Sequence, residues 1–281
     1  MQILDAVRAG GGIVRAQTLR ERGCSSRALT QLVRSGMLVR PRGGWLAVPD
    51  ADPHLIAAAR DGVVLSCVTQ ARRLGLWVLE HDRTHVAAAS HAGGVRIARS
   101  GDGRALATVH WMKPAVPRHP HHLIDPIENV LLLVAACQPL ESALTIWESA
   151  LRKQIVDPLA LRRLPLPARA RHLLELARPS ADSGLETLFI VRLRWLRVPI
   201  TAQLWIAGHH VDVLIGDRLV FQIDGGTHVD EQRSQDIAHD AQLLLMGYSV
   251  FRVGYRDVID HWPRVQEMVS RAVAQGLHLA R

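Results

Sequence analysis

In the first fifty residues, apolar side chains recur at helical spacing in three short segments. These segments predict three helices, ended by Gly10, Gly23 and Gly36. Residues 37–40 and 45–48 then predict two short strands on either side of a Pro-Arg-Gly-Gly turn. Three helices followed by a two-stranded wing are the layout of a winged helix-turn-helix, which we predict for residues 1–50.

The third predicted helix has a polar face that could meet DNA, because this helix enters the major groove in such domains. Arginine and glutamine side chains read base edges or hold phosphates. The candidate contacts on this helix and on the wing are Arg27, Thr30, Gln31, Arg34, Arg40 and Arg42. Two other interpretations stay open, a helical packing module with a solvated basic face and a winged helix that binds protein.

The segment GGIVRAQTLRERGCSSRALTQLVRSGMLVRPRGGWLAVP, residues 11–49, resembles the N-terminal domain of AbiEi-family antitoxins. The resemblance implies transcriptional regulation, with DNA as the partner. Residues 51–164 predict a small α+β domain, whose order resembles the domain that follows the winged helix in AbiEi-like proteins. Its predicted strands lie at 84–89, 95–98 and 107–111, and residues 165–182 predict a connector with a short helix.

The chain from Ser183 onward changes to a helix followed by strands. Strands are predicted at 200–206, 210–215, 219–224 and 248–253, with helices at 230–246 and 259–275. Asp212 stands on the second strand, and Gln222 and Asp224 stand on the third, each at an alternating position. Acidic side chains on neighbouring strands of a basic chain suit a divalent metal that acts on phosphates.

The pairing of the second and third strands decides whether this metal site can form. If Asp212 lies directly opposite Gln222, then Asp212, Gln222 and Asp224 share one face of the sheet. A strict two-residue turn at 216–217 would put Asp212 on the opposite face. A shared site therefore predicts a longer or bulged turn.

The C-terminal hundred residues resemble nucleases allied to the very-short-patch-repair endonucleases, within the PD-(D/E)XK superfamily. The resemblance rests on Glu186, on VDVLIGDRLVFQIDGGTH and on DIAHDAQLLLMGYSVFRV. It implies a C-terminal α/β restriction-endonuclease-like core over residues 183–281. Two positions depart from the pattern of the family: Gln222 replaces the usual Glu, and His239 replaces the usual Arg.

The resemblance implies one Mg²⁺ or Mn²⁺ ion held by Asp212 and Gln222, with the Ile223 carbonyl as a further ligand. A Gln oxygen brings no charge and a weaker affinity for Mg²⁺. The candidate catalytic residues are Glu186, Asp212, Gln222, Asp224 and His228, and Glu186 could also hold the metal through water. His228 is the candidate general base, because no Lys stands at the position of Asp224. Glu186 has an equal alternative, since it stands three residues after Ser183 at capping-box spacing.

The chain has 281 residues, a net charge of +8 and a charged fraction of 21%, which is typical of a folded protein with polyanionic partners. Arginine supplies nearly all of the positive charge, because Lys113 and Lys153 are the only lysines. The cysteines at 24, 67 and 137 lack metal spacing and predict buried thiols in a reducing compartment. With no signal-peptide pattern and no run long enough to span a bilayer, we expect a cytoplasmic protein that could form a homodimer.

Three functions stay open on the sequence alone. The first is a metal-dependent DNA endonuclease targeted by the N-terminal winged helix, in phage defence or DNA repair. The second is a catalytically inactive DNA-binding transcriptional regulator or antitoxin. The third, with less support, is a structural module that binds a partner.

Overall fold

The computed structural model describes residues 3–79, 83–89, 92–178, 184–224 and 230–280. The protein has a mixed α+β architecture that divides into two compact units. The first comprises Met1–Cys137 and Leu159–Ala170, and the second comprises Gln138–Pro158 and Arg171–Arg281. None of the helices in the described part of the chain combines the length and the apolar character needed to cross a membrane.

The first unit begins with the element order of a winged helix. Its elements are α1 (Ile3–Ala9), β1 (Ile13–Arg15), α2 (Ala16–Glu21), α3 (Ser26–Arg34) and β2 (Trp45–Ala47). β1 and β2 pair antiparallel, and the apolar faces of the helices enclose a core that contains Val7, Leu19, Leu29 and Leu46. The three predicted helices are therefore confirmed.

The wing differs from its prediction. Residues 37–40 form only an isolated bridge, between Val39 and Ala47, because the Leu38 N–H donates to the Leu32 carbonyl at 3.0 Å and so closes α3. The strand partner of Trp45 is instead Arg15 of β1, which the sequence pattern did not predict.

The rest of the first unit contains α4 (Pro53–Asp61), β3 (Val64–Leu65), α5 (Cys67–Arg73), β4 (Thr84–Ala87), β5 (Ala107–His110) and α6 (Ile127–Cys137). β4 lies in the centre of this sheet, antiparallel to β3 and parallel to β5. The strand predicted at 95–98 is wrong: the Arg96 N–H donates to the carbonyl of Asp61 at the end of α4, outside any ladder.

The helices that follow are α7 (Leu140–Arg152), α8 (Pro158–Arg162) and α9 (Ala168–Leu176). The C-terminal elements are α10 (Gly184–Arg192), β6 (Ile200–Ile206), β7 (His209–Ile215), β8 (Leu219–Asp224), α11 (Asp230–Leu245), β9 (Ser249–Gly254), α12 (Tyr255–Ile259) and α13 (Trp262–Ala274). The predicted order is confirmed, except that an additional short helix, α12, precedes the last helix, which begins at Trp262 and not at residue 259. Pro263 has no N–H with which to continue a helix, so it stands in the first turn of α13.

The four C-terminal strands form one sheet in the order β6-β7-β8-β9, and only the β8–β9 pair is parallel. Phe221 stacks on Phe251 and lies 5.1 Å from the ring of Phe189 in α10. Both Phe189 and Phe221 are fully buried, and truncating either to Ala would cost about 3–5 kcal/mol. Leu214 and Val220 cluster with Leu243 of α11.

Candidate functional site

The turn between β7 and β8 has three residues, because Ile215 pairs with Leu219. Leu214 pairs with Val220 and Val213 with Phe221, where the ladder ends, and the same register continued by one residue puts Asp212 opposite Gln222. The longer turn that a shared site requires is therefore confirmed. Gly216 makes this turn possible at a φ of +61°, where residues with a side chain are strained.

Asp212 and Gln222 contact each other across the hairpin. The Asp212 N–H donates to Gln222 Oε1 at 3.3 Å, and the Ile223 N–H donates to Asp212 Oδ2 at 2.8 Å. Because side chains alternate along a strand, Asp224 lies on the same face as Gln222. The structure thus brings together the three oxygen-bearing side chains that the sequence placed on these two strands.

Gln203 of β6 joins this group and was missed in the sequence. Its Nε2 donates to Glu186 Oε2 at 2.8 Å and to Asp212 Oδ1 at 3.3 Å. The side-chain Oε1 of Gln203 accepts a hydrogen bond from His210 Nδ1 at 2.8 Å. The backbone of Gln203 has a φ of +53°, an uncommon value for a residue other than glycine. Glu186 is therefore connected to Asp212 through a single amide nitrogen.

Arg252 of β9 completes a polar row across the sheet, because it pairs with Gln222 in the parallel ladder. Its guanidinium lies 3.0 Å from Asp224 Oδ1 and makes two bonds to Asp240 of α11, at 2.6 and 3.1 Å. His239, the second position that departs from the pattern of the resembling nucleases, is buried, and its ring contacts the Ile206 carbonyl at 3.4 Å.

The centre of the site is shielded from water. Glu186 is 5% exposed and Gln222 is 7% exposed. Burial raises the pKa of Asp212, and the neighbouring Asp224 carboxylate raises it further. The Ile223 N–H, the Gln203 amide and the Arg252 guanidinium act in the opposite direction without cancelling the effect. The surroundings therefore offset only part of the cost of burying the ionised Asp212 carboxylate.

The donor set fits one divalent cation that prefers oxygen ligands. Asp212, Gln222 and Glu186 offer carboxylate and amide oxygens, the ligands that suit Mg²⁺ and Mn²⁺. A carboxylate accepts about four hydrogen bonds or ligand contacts, so the donors on Asp212 leave positions for a cation. His228 of the predicted site lies outside the described residues, as does Ser183, the expected capping partner of Glu186.

The predicted DNA-contacting side chains on α3 are all exposed, namely Arg27, Thr30, Gln31 and Arg34. Ser25 caps the helix by accepting from the Ala28 N–H, and buried Leu29 anchors the opposite face. Arg40 and Arg42 are also exposed. The guanidinium of Arg42 lies against Gly62 and Gly94, beside a cavity of about 320 Å³ that Arg15 and Arg118 also line.

A family model described as "Transcriptional regulator, AbiEi antitoxin" matches residues 1–44. The matched segment contains α1, β1, α2 and α3 and ends just before β2. Residues 1–44 are thus similar to an AbiEi-type transcriptional regulator domain, in agreement with their winged-helix element order. No curated protein matches the chain.

Proposed function

We propose that the protein is a metal-dependent DNA endonuclease in which the N-terminal winged helix supplies the DNA targeting. Residues 183–281 would form a PD-(D/E)XK domain that hydrolyses phosphodiester bonds. The observation that carries the proposal is the β7–β8 register, which puts Asp212 opposite Gln222. Glu186 adds support, because it reaches the same group through Gln203.

In this proposal Asp212 and Gln222 would hold the cation, the Ile223 carbonyl would complete the protein ligands, and Glu186 would order water beside them. When bound, Mg²⁺ or Mn²⁺ would supply Lewis-acid stabilisation of the scissile phosphate and would activate a water. His228 is the candidate that takes the proton from the attacking water. Arg252 orients the Asp224 carboxylate through their 3.0 Å ion pair.

The test is nicking of supercoiled plasmid DNA with Mg²⁺ or Mn²⁺ by the wild type, Asp212→Asn and Asp217→Asn. Asp217 lies exposed in the turn of the same hairpin, so its variant is a matched control. We expect Asp212→Asn to lower the rate by at least about 10–100-fold, because even indirect metal partners are worth that much. Equal trace nicking by the wild type and Asp212→Asn would overturn the proposal.

Gln222→Glu supplies a sharper arm of the same assay. This change restores the charge that the resembling nucleases carry and strengthens the hard-oxygen donor set. We expect the variant to reach half-maximal nicking at a lower Mg²⁺ concentration than the wild type. No change in the metal requirement would count against Gln222 as a ligand.

The second candidate function is a DNA-binding regulator whose C-terminal domain lacks catalysis. The Gln203 amide favours it, because it donates to Glu186 and Asp212, the same carboxylates that a cation would use. This candidate requires DNA retardation without cleavage, and an affinity that Asp212→Asn leaves unchanged. The plasmid assay and the retardation assay together separate the two functions.

A further inference from the structure

Two cysteines and two histidines of the first unit converge on one point. The candidate ligand atoms of Cys67, His85, His110 and Cys137 all lie within 4.8 Å of one another. The cysteines show no metal spacing in the sequence, because the members of this cluster are distant from one another along the chain. The expected burial holds only for Cys67, since Cys24 and Cys137 are half-buried.

Each of the four side chains comes from a different element. Cys67 begins α5, His85 lies in β4, His110 ends β5 and Cys137 ends α6. His85 is held in place by its own N–H, which donates to Thr69 Oγ1 at 2.7 Å. Cys67 has a φ of +49°, a left-handed value that costs energy for a residue with a side chain and marks functional positions.

The distances within the cluster match those of a tetrahedral metal site. His85 Nδ1 lies 3.1 Å from His110 Nε2 and 3.6 Å from Cys137 Sγ. Zinc bonds to sulfur and nitrogen imply edges of about 3.3 Å between two nitrogens and about 3.6 Å between nitrogen and sulfur. A single ion can therefore bond all of these atoms after shifts of a few tenths of an ångström.

We propose that Cys67, His85, His110 and Cys137 form a structural Zn²⁺ site. Thiolate and imidazole ligands select zinc over Mg²⁺ or Mn²⁺, which prefer oxygen. Four protein ligands fill a tetrahedral site and leave no position for substrate, which is the mark of a structural centre. Two thiolates neutralise the charge of the ion, and the ion ties α5 and α6 to the β4–β5 pair.

The two thiols of the cluster are shifted in opposite directions. Hydrogen bonds from Cys67, His110 and His85 lower the pKa of the Cys137 thiol, whereas the hydrogen bond with Cys137 and burial raise the pKa of the Cys67 thiol. The thiolate is the form of cysteine that binds metal. This site shares no residue with the carboxylate group around Asp212, so the zinc proposal stands or falls independently of the nuclease proposal.

The test measures the zinc content of the full chain by elemental mass spectrometry. The protein is expressed with added zinc and purified under reducing conditions. We expect one zinc ion per chain in the wild type, in Cys24→Ser and in Asp212→Asn. We expect Cys67→Ser/Cys137→Ser to lose the ion. Cys24→Ser controls for the loss of a thiol, and Asp212→Asn controls for binding at the carboxylates.

A second measurement keeps the proposal testable if the double variant fails to fold. Zinc is removed from the wild type with a chelator, and Co²⁺ is titrated in. We expect saturation at one Co²⁺ per chain, with thiolate-to-cobalt charge-transfer bands and the intense visible bands of tetrahedral Co²⁺. A wild type without stoichiometric zinc, a Cys67–Cys137 disulfide in the reduced preparation, or Co²⁺ bands without thiolate character would each overturn the proposal.

Discussion

Asp212 carries an electrostatic cost that its neighbours only partly offset. Burial is the main reason that its pKa is raised, and the Asp224 carboxylate adds to it. A carboxyl whose pKa is higher in the folded than in the unfolded chain destabilises the fold while it is ionised. Such costs concentrate at functional positions, where a ligand or substrate makes use of them.

The first prediction follows from this cost. In chelator-treated protein at neutral pH, we expect Asp212→Asn to stabilise the fold by about 0.5–2 kcal/mol, as changes at functional sites commonly do. The gain should shrink as pH falls through the raised pKa of Asp212, because the wild-type carboxyl then becomes neutral as well. Thermal unfolding followed by tryptophan fluorescence, from about pH 4 to about pH 8, measures the difference.

Asp217→Asn is the control for Asp212→Asn. Asp217 is exposed, so removing its charge relieves no burial cost. A gain of equal size in both variants would show that net charge, and not the burial of Asp212, sets the stability. A loss of stability in Asp212→Asn at neutral pH would contradict the assignment of a cost to the ionised carboxyl.

At the scale of elements, the β7–β8 turn controls which side chains share a face. A Cβ on Gly216 would lie 2.5 Å from the His278 carbonyl oxygen, at a φ of +61°. We expect Gly216→Ala to cost roughly 1–3 kcal/mol from this clash, in addition to roughly 1–2 kcal/mol of backbone strain. Urea unfolding of the full chain measures the cost.

Gly208→Ala separates the clash from the strain. Gly208 occupies the preceding β6–β7 turn at a φ of +79°, and a Cβ there would meet nothing within 4 Å. This variant should show the strain alone. Equal destabilisation of the two alanine variants would mean that the clash with His278 adds nothing to the backbone strain. The contact with His278 would then not stabilise the β7–β8 turn.

The Ser25 cap tests the stability of α3. Its side chain accepts the Ala28 N–H at 3.2 Å, so we expect Ser25→Ala to destabilise the helix by about 1 kcal/mol. Faster hydrogen exchange of the α3 amides, measured by mass spectrometry, should report the change. Ser26→Ala is the neighbouring control, because Ser26 is exposed and lies within the helix. Unchanged exchange in Ser25→Ala would show that packing of Leu29 dominates.

Strands were predictable wherever the apolar alternation was long enough. Leu219–Asp224 is the clearest example, since apolar Leu219, Phe221 and Ile223 share one face while Gln222 and Asp224 share the other. The short strands Ile13–Arg15 and Val64–Leu65 were not predictable, because they have too few residues to show an alternation of apolar and polar side chains. The predicted strand at 37–40 was lost to a local competitor, the Leu38 N–H that closes α3.

The two candidate sites also differ in how far the sequence could predict them. The facing pair of Asp212 and Gln222 followed from alternation once the turn length was assumed. The turn itself depends on Pro199 and His278, whose carbonyls accept from Gly216 and Asp217 and which are distant in sequence. The cluster around Cys67 has no local motif, because only tertiary packing brings its four elements together.

At the scale of the whole molecule, binding DNA requires positive charge, whereas the proposed cleavage site consists of carboxyl groups. Asp212, Asp224 and Glu186 are carboxyl groups that repel phosphates, so this site adds little DNA affinity without a cation. The net charge of +8 comes almost entirely from arginine, which pairs with phosphates in a bidentate manner. The affinity should therefore come from basic faces such as that of α3.

The last prediction tests this separation by fluorescence anisotropy of labelled duplex DNA in a salt series. If Arg27 and Arg34 each hold one phosphate, Arg27→Ala/Arg34→Ala should flatten the slope of log affinity against log salt by roughly 2. Arg264→Ala/Arg271→Ala removes the same charge from the exposed face of α13 and should leave the slope nearly unchanged. Asp212→Asn should bind as the wild type does. Equal effects of both arginine pairs would mean that general charge, and not α3, attracts the DNA.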